Sequence, residues 1–514
     1  MSADPTANRH WRAMLWLHLG LSLALAAWLV WQTRPVPLPE VPGARIQCLS
    51  YSPFRGPERS PLVPGEAITV EQIRQDLEAI APLSDCVRIY SVDQGLDAVP
   101  AVAEALGMTV IVGAWIGRSD AANRYQLARA VELARDHPHS VRALMIGNEV
   151  LLRRERSVAE IAALLEEVRR QVSVPVSYAD VWEIWLDNAA LAEAVDFVTV
   201  HILPFWEDHP VAATQAVAHV AAVHHRVEAE FDKPLLIGES GWPSAGRQRG
   251  PAVPGRLEQA RFVREFLSVA ARERWQYNLI EAFDQPWKRR LEGTVGGYWG
   301  ILDGANRLHF PLTGTVARRD GLGAVPASGV AGAVSLGVLA AFAGRRRLPL
   351  AAFVASGLWL GLCGALLFEH ARLAWRDGSE WLALGTVSLL GPCWLLLRAL
   401  SPRPDGGVAR TRHGLHLAIL YCSALAALWL AADPRYRDFP LWMYAGAAPA
   451  LLLCGETLAG PRRDAIRICA AVTAIAGLVR LLPEPGNLQA VAWSVLCLVQ
   501  AAGGWAAGQQ QQRE

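Results

Sequence analysis

Two glutamates of this 514-residue chain stand where a carboxyl group could do chemistry: Glu149 in Ile-Gly-Asn-Glu-Val (146–150) and Glu239 in Ile-Gly-Glu-Ser-Gly-Trp (237–242). Each closes a short apolar run. Two carboxyls aimed at one bond can divide the work, one protonating the leaving oxygen while the other attacks carbon. A pair about 5 to 5.5 Å apart would cleave a glycosidic bond with retention of configuration. Asn148, beside Glu149, could hold a sugar 2-hydroxyl, a contact that strengthens as positive charge develops at the anomeric carbon. The competing structural reading is that each glutamate pairs with an arginine such as Arg88.

Such residues need elements to position them. Between residues 45 and 315, eight short β-branched or apolar runs alternate with helical stretches: 45–54, 86–91, 109–117, 143–151, 174–181, 197–206, 234–242 and 278–287. The segments 68–83 and 157–172 have apolar residues at spacings of three and four. Thr69 and Ser157 stand where N-caps belong, and Ser157 with Glu160 forms a capping-box pattern. Eight strand–helix repeats in about 270 residues predict an α/β fold of the (β/α)8 TIM-barrel type. A doubly wound open sheet is the alternative, but no Gly-rich phosphate fingerprint follows a strand. In a barrel, strand C-termini line the site. Those ends carry Tyr51, Tyr90, Asn148, Glu149, Tyr178, Asp180, His201, Phe205, Trp206, Glu239, Trp242, Glu281, Asp284 and Trp287. Strands four and seven face each other across the mouth, so Glu149 and Glu239 can meet. Aromatic rings suit the apolar faces of pyranose sugars, and carboxylates suit their hydroxyls. Core packing is the competing reading for each ring.

The rest of the chain is of another kind. Lys and Arg number 49 against 48 Asp and Glu, a net charge of +1, which excludes the basic footprint of a nucleic-acid binder. With 52% hydrophobic residues and a mean hydropathy of +0.20, a membrane portion is expected. Residues 12–31 form an apolar run long enough to cross a hydrocarbon core of about 30 Å. We read it as an uncleaved anchor after a cytoplasmic 1–11, in preference to a signal peptide cut near Ala24-Leu25-Ala26. Residues 32–44, with four prolines, read as an extended linker. Seven further apolar stretches follow within 325–506, at 325–343, 349–368, 381–397, 415–432, 440–457, 468–483 and 488–505, before a short tail at 507–514. Arg345, Arg346 and Arg347, then Arg398, Arg403, Arg410 and Arg412, then Arg462, Arg463 and Arg467 fall in alternate loops. The intervening Arg residues are balanced by Glu369, Asp377, Glu380, Asp433 and Asp438. Positive loops stay in the cytoplasm, which puts both termini inside and residues 45–315 outside.

The run Lys-Pro-Leu-Leu-Ile-Gly-Glu-Ser-Gly-Trp-Pro-Ser-Ala-Gly (233–246) resembles the nucleophile motif of glycoside hydrolase family 17, the β-1,3-glucanase family. Val-Arg-Ile-Tyr-Ser (87–91), Ile-Gly-Asn-Glu-Val-Leu (146–151) and Glu-Ala-Phe-Asp-Gln-Pro-Trp-Lys (281–288) resemble its second, fourth and eighth strands in order. The likeness spans 45–312. It implies Glu239 as nucleophile, Glu149 as acid/base, and Tyr90, Asn148, Trp242, Asp284 and Lys288 as lining, with β-1,3-glucan or a related β-gluco-oligosaccharide as substrate and no cofactor. Many relatives have Glu where Gln285 stands, and plant members have Asn-x-Tyr-Pro where this chain has His-Ile-Leu-Pro-Phe-Trp (201–206). The latter pattern looks more like that of bacterial members, some of which transfer glucan chains instead of hydrolysing them, and implies a bacterial inner membrane with the barrel in the periplasm.

Other signals are weaker. His137, His139, His224 and His225 lack acidic partners at ligand spacing and are read as solvated, so metal chemistry is not indicated. Cys48 and Cys86 fall on adjacent strands, and buried thiols are favoured over a disulfide. The alternative to an enzyme is a non-catalytic β-glucan-binding or polysaccharide-export component. No glycosyltransferase pattern is present, so any glucan synthase would be a separate protein partner.

Overall fold

The computed structural model describes residues 5–41, 43, 45–56, 59–63, 65–401, 405–433, 435–454 and 461–507. Arg403, positions 42 and 44 of the linker, positions 455–457 of the fifth apolar stretch and the terminal residues 1–4 and 508–514 lie outside the described residues. The chain forms two compact units: Pro35–Gly246 with Pro251–Val316, and Met1–Arg34 with Arg247–Gly250 and Ala317–Glu514.

The first unit is a closed barrel of eight parallel strands: β1 (Leu49–Ser50), β2 (Cys86–Ile89), β3 (Thr109–Ala114), β4 (Val141–Asn148), β5 (Val176–Val181), β6 (Val198–His201), β7 (Leu235–Ser240) and β8 (Gln276–Leu279). Pairing of Leu49 with Leu279 closes it. All eight expected strands are present, and the TIM-barrel reading holds. Helices follow most of them, among them Val70–Ile80 after β1 and Val158–Arg169 after β4. Thr69 accepts from the Gln72 amide, and the Ser157–Glu160 capping box forms in both directions. After β5 and β8 the helix shrinks to Trp182–Asp187 and Arg289–Glu292.

Strand alternation separates two layers of core. Val110 and Val112 of β3, with Leu144 and Ile146 of β4, pack into the large outer cluster beneath the helices. Cys86, Ile111, Ala143, Met145, Ala179 and Leu236 form a small inner one. Successive side chains point to opposite faces, so the small cluster plugs the barrel. Arg88 and Tyr90 share the parity of Cys86 and therefore rise along the inner face towards the mouth. Cys48 and Cys86 are joined in a disulfide, which corrects the expectation of free thiols: their Cα atoms lie 4.4 Å apart on paired strands.

The second unit is helical. Among the described residues, six helices are long and apolar enough to cross a membrane: Arg9–Gln32, Val325–Phe342, Arg347–Ala374, Gly378–Leu400, Gly406–Ala432 and Leu488–Trp505. The expected fifth stretch is broken into Leu441–Ala445 and Ala448–Cys454, and the sixth is Pro461–Leu481. The N-terminal helix packs into this unit, with Met14 fully buried and Trp11 against Phe353 at 5.4 Å.

Candidate active site

Glu149 and Glu239 reach the mouth by different backbone devices. Glu149 follows the last residue of β4 with φ of 53°, a left-handed conformation uncommon for a residue with a Cβ and frequent at functional sites. Gly147 makes this turn feasible: a Cβ there would lie 2.8 Å from Val150 Cγ2 and 3.3 Å from the Tyr178 ring. Glu239 lies where β7 shifts register against both neighbours, an irregularity that re-aims a side chain. Gly238 leaves room beside it, because a Cβ there would meet Thr199 Cγ2 at 2.4 Å and His201 Cδ2 at 3.1 Å.

The two carboxylates converge with His201 between them: one donor or acceptor atom from each of the three lies within 4.8 Å of the others. His201 Nδ1 is 2.8 Å from Glu149 Oε1, and its Nε2 is 3.6 Å from Glu239 Oε1. Tyr90 donates to Glu239 Oε1 at 2.8 Å and also contacts Ser50 Oγ at 2.7 Å. Arg88 stands 3.7 Å from Glu239, but its guanidinium donates to the Gly238 carbonyl at 2.7 Å and to Asn148 Oδ1 at 2.6 Å. The guanidinium is thus near the carboxylate without capturing it. The Glu149 side chain is 25% exposed and that of Glu239 7%. By spacing, the three side chains could also hold a cation; Glu149 Oε1 and Glu239 Oε1 are hydrogen-bonded to His201 and Tyr90.

Electrostatics distinguish the groups. Burial pushes the Glu149 carboxyl up, but the His201 hydrogen bond and the charges of His201, Arg153 and Arg88 outweigh it and hold the group below the ordinary carboxylate value. Burial raises the Tyr90 phenol, and the Glu239 charge raises it further. Burial lifts Glu281 to about 7 despite Lys288, whose ammonium lies 2.9 Å from both of its oxygens. Asp284 is likewise raised by burial, against the pull of His309 at 2.8 Å.

The remaining residues expected at the mouth fall into two groups. Tyr90, Asn148, Trp206, Trp287 and Lys288 are partly open. Tyr51, Tyr178, Phe205 and Trp242 are shut into the core: Tyr51 donates to Asp76 at 2.8 Å, Tyr178 to Asp180, and Trp242 to the Val253 carbonyl at 3.0 Å, while Phe205 packs edge-on against Trp206, Trp242 and Trp299. These four rings present no open face to a ligand, because each strand-end aromatic turns inward to seal the layer beneath the mouth. Trp287 donates to Gln285 Oε1 at 2.8 Å, and Gln285 also accepts from Ser52, so the amide that stands in for a common glutamate is held by neutral partners. His137, expected to be solvated without a partner, sits 2.8 Å from Glu104, and His224 is buried against Trp275.

Two residues were missed. Trp115, 42% exposed just beyond β3, carries the Arg153 guanidinium 4.5 Å over its ring. Glu292, half-buried after β8, has its carboxyl raised first by burial and further by the charges of Glu149 and Glu239. Trp115 was visible in the run 109–117; nothing in the sequence marked Glu292.

A barrel with paired carboxylates at its mouth is the architecture of a glycoside hydrolase. Residues 48–300 match the BtgE/BtgC glycoside hydrolase domain, in agreement with the family 17 resemblance of the sequence. The chain is 23% identical over 273 residues to the glucan 1,3-beta-glucosidase of Saccharomyces cerevisiae, covering 48% of this chain and 87% of that protein. It is 25% identical over 286 residues to a probable glucan endo-1,3-beta-glucosidase, btgC, of Aspergillus clavatus, covering 47% of this chain and 39% of that one. Among solved structures, an active-site mutant of the Rhizomucor miehei beta-1,3-glucanosyltransferase in complex with laminaritriose is similar with a TM-score of 0.46 and 22% identity, over 53% of this chain and 98% of that one.

Proposed function

We propose that this protein is a membrane-anchored, retaining enzyme that cleaves and rejoins β-1,3-glucan on the outer side of the membrane. The observation that carries the reading is the approach of Glu149 to Glu239, with one oxygen of each in a cluster no wider than 4.8 Å. Inverting enzymes hold their carboxyls about 6.5 to 9.5 Å apart to admit a water, so this spacing favours direct attack. Glu149 protonates the glycosidic oxygen as the C1–O bond breaks, and Glu239 bonds to C1. Water or a sugar hydroxyl then gives its proton to Glu149 while its oxygen displaces Glu239. Tyr90 holds the nucleophile in place, and Asn148, itself held by Arg88, is set for the 2-hydroxyl.

The relatives' names supply the substrate class. Anchoring is supported by the six long apolar helices and by the packing of Arg9–Gln32 into the helical unit, which a cleaved signal peptide would not provide. The barrel outside and both termini inside follow from the alternation of arginine-rich loops. Transfer in preference to hydrolysis suits an enzyme fixed where a glucan emerges. The test is incubation of the detergent-solubilised protein with defined β-1,3-oligosaccharides, with mass spectrometry of the products. Chains both shorter and longer than the substrate are expected from the wild type, and neither from Glu239→Gln. Turnover that survives in Glu239→Gln would refute the assignment.

A further inference from the structure

His201 touches both glutamates from one ring. Its side chain is fully closed to solvent, and Nε2 has no hydrogen-bond partner, so the groups nearest for exchanging a proton with the ring are the two carboxylates. Around it stand Arg88 from β2, Glu149 from β4, Asp180 from β5 and Glu239 from β7. Three carboxyl groups face one guanidinium, a field that favours a proton on the imidazole.

We propose that His201 and Glu149 hold one proton between them across the Nδ1–Oε1 contact, His201 being the positioning residue that keeps the acid's proton in the site until the leaving oxygen takes it. The proposal rests on the catalytic reading above and deepens it. In the resting site the ring carries hydrogens on both nitrogens, with Nδ1–H donated to ionised Glu149 and Nε2–H facing Glu239. Moving the Nδ1 proton to Glu149 gives a neutral ring and a protonated acid with no change in proton count. Glu149 passes that proton to the glycosidic oxygen as the C1–O bond breaks and Glu239 bonds to C1, which leaves Glu149 ionised and the ring neutral. In the second half-reaction the acceptor's O–H proton goes to Glu149 as its oxygen bonds to C1 and the bond to Glu239 breaks. The proton then returns to Nδ1. Burial alone would strip the imidazole of its proton, but the charges of Glu239 and Glu149 outweigh it and lift the group above its usual value, while Glu149 is held below its own. Both directions place the resting proton on the ring.

The test is the pH dependence of kcat/KM for a β-1,3-oligosaccharide with the full-length solubilised protein. Asparagine can still hydrogen-bond to Glu149 but cannot hold the proton. In His201→Asn the basic limb is expected about one pH unit or more lower, a loss of about tenfold above that limb. Dinitrophenyl β-glucoside, whose leaving group departs without a proton, is expected to show no such displacement. His201→Gln serves if the asparagine variant does not fold. A folded variant whose basic limb stays at the wild-type pH overturns the proposal and leaves the two glutamates' roles intact. A wild-type protein that acts on neither substrate overturns the catalytic reading and this proposal together.

Discussion

Glu149 and Glu239 differ in how they face water, and that difference suits the work proposed for each. Glu239 is nearly closed off and bound by Tyr90, which fixes a nucleophile along one line of attack; Glu149 is a quarter exposed and can meet an incoming hydroxyl. General-acid help matters only when the leaving oxygen is a poor one. Glu149→Ala should therefore lower kcat/KM for a β-1,3-oligosaccharide by about 10²- to 10⁴-fold and that for dinitrophenyl β-glucoside by less than about tenfold. Equal losses on the two substrates would mean that Glu149 is not the proton donor. Both carboxylates were legible as sequence because each ends an apolar run next to a small or amide residue. The aromatic lining was not: a tyrosine or tryptophan at a strand end has the same sequence signature whether its ring opens to the mouth or turns under it, as Tyr51, Tyr178 and Trp242 do. His201 was visible as a candidate, but its bridging position depends on the register shift at β7, which no local pattern encodes.

At the scale of elements, close backbone approach decides the packing of the helical unit. Val325–Phe342 and Arg347–Ala374 meet along a seam of small residues: a Cβ on Gly332 would fall 2.2 Å from the Gly357 carbonyl, one on Gly357 2.2 Å from that of Gly332, and one on Gly361 2.1 Å from that of Ser328. In lipid, where apolar burial does not favour one helix neighbour over another, contact of this kind and the dispersion it gives drive association. Gly357→Val should therefore force the pair apart, with a cost of about 3 kcal/mol or more. Gly364→Val, on the same helix where an added Cβ meets nothing within 4 Å, should be harmless. Thermal unfolding of the two variants in detergent tests this, and equal midpoints would remove the seam as a cause of packing. Strand periodicity gave all eight strands in order because buried parallel strands read as β-branched runs. It overstated their lengths, since β1 and β8 end where the mouth residues begin, and it missed the Cys48–Cys86 bond, which depends on a Cα separation no spacing rule supplies.

At the scale of the molecule, orientation depends on two segments near the C-terminus. Leu441–Ala445 and Ala448–Cys454 are short, and Pro461–Leu481, although about 32 Å long at 1.5 Å per residue, carries Arg463, Asp464 and Arg467 near one end and Arg480 near the other. Its apolar middle is shorter than a hydrocarbon core of about 30 Å, so it can cross only if those arginines reach along the helix to the two interfaces. The topology proposed above requires that it does: with eight crossings, residues 433–439 would face outward, Arg462, Arg463 and Arg467 would face the cytoplasm, and residue 514 would lie inside. If neither segment crosses, the C-terminus is still inside but Arg462 and Arg463 are outside; if one crosses, the C-terminus is outside. Fusions of alkaline phosphatase, active only when exported, after Arg435, after Gly460 and after Glu514 separate the three arrangements. Eight crossings predict activity at the first position and none at the other two. Activity after Gly460 without activity after Glu514 would mean that both segments lie on the outer surface, and activity after Glu514 would mean that one of them fails to span.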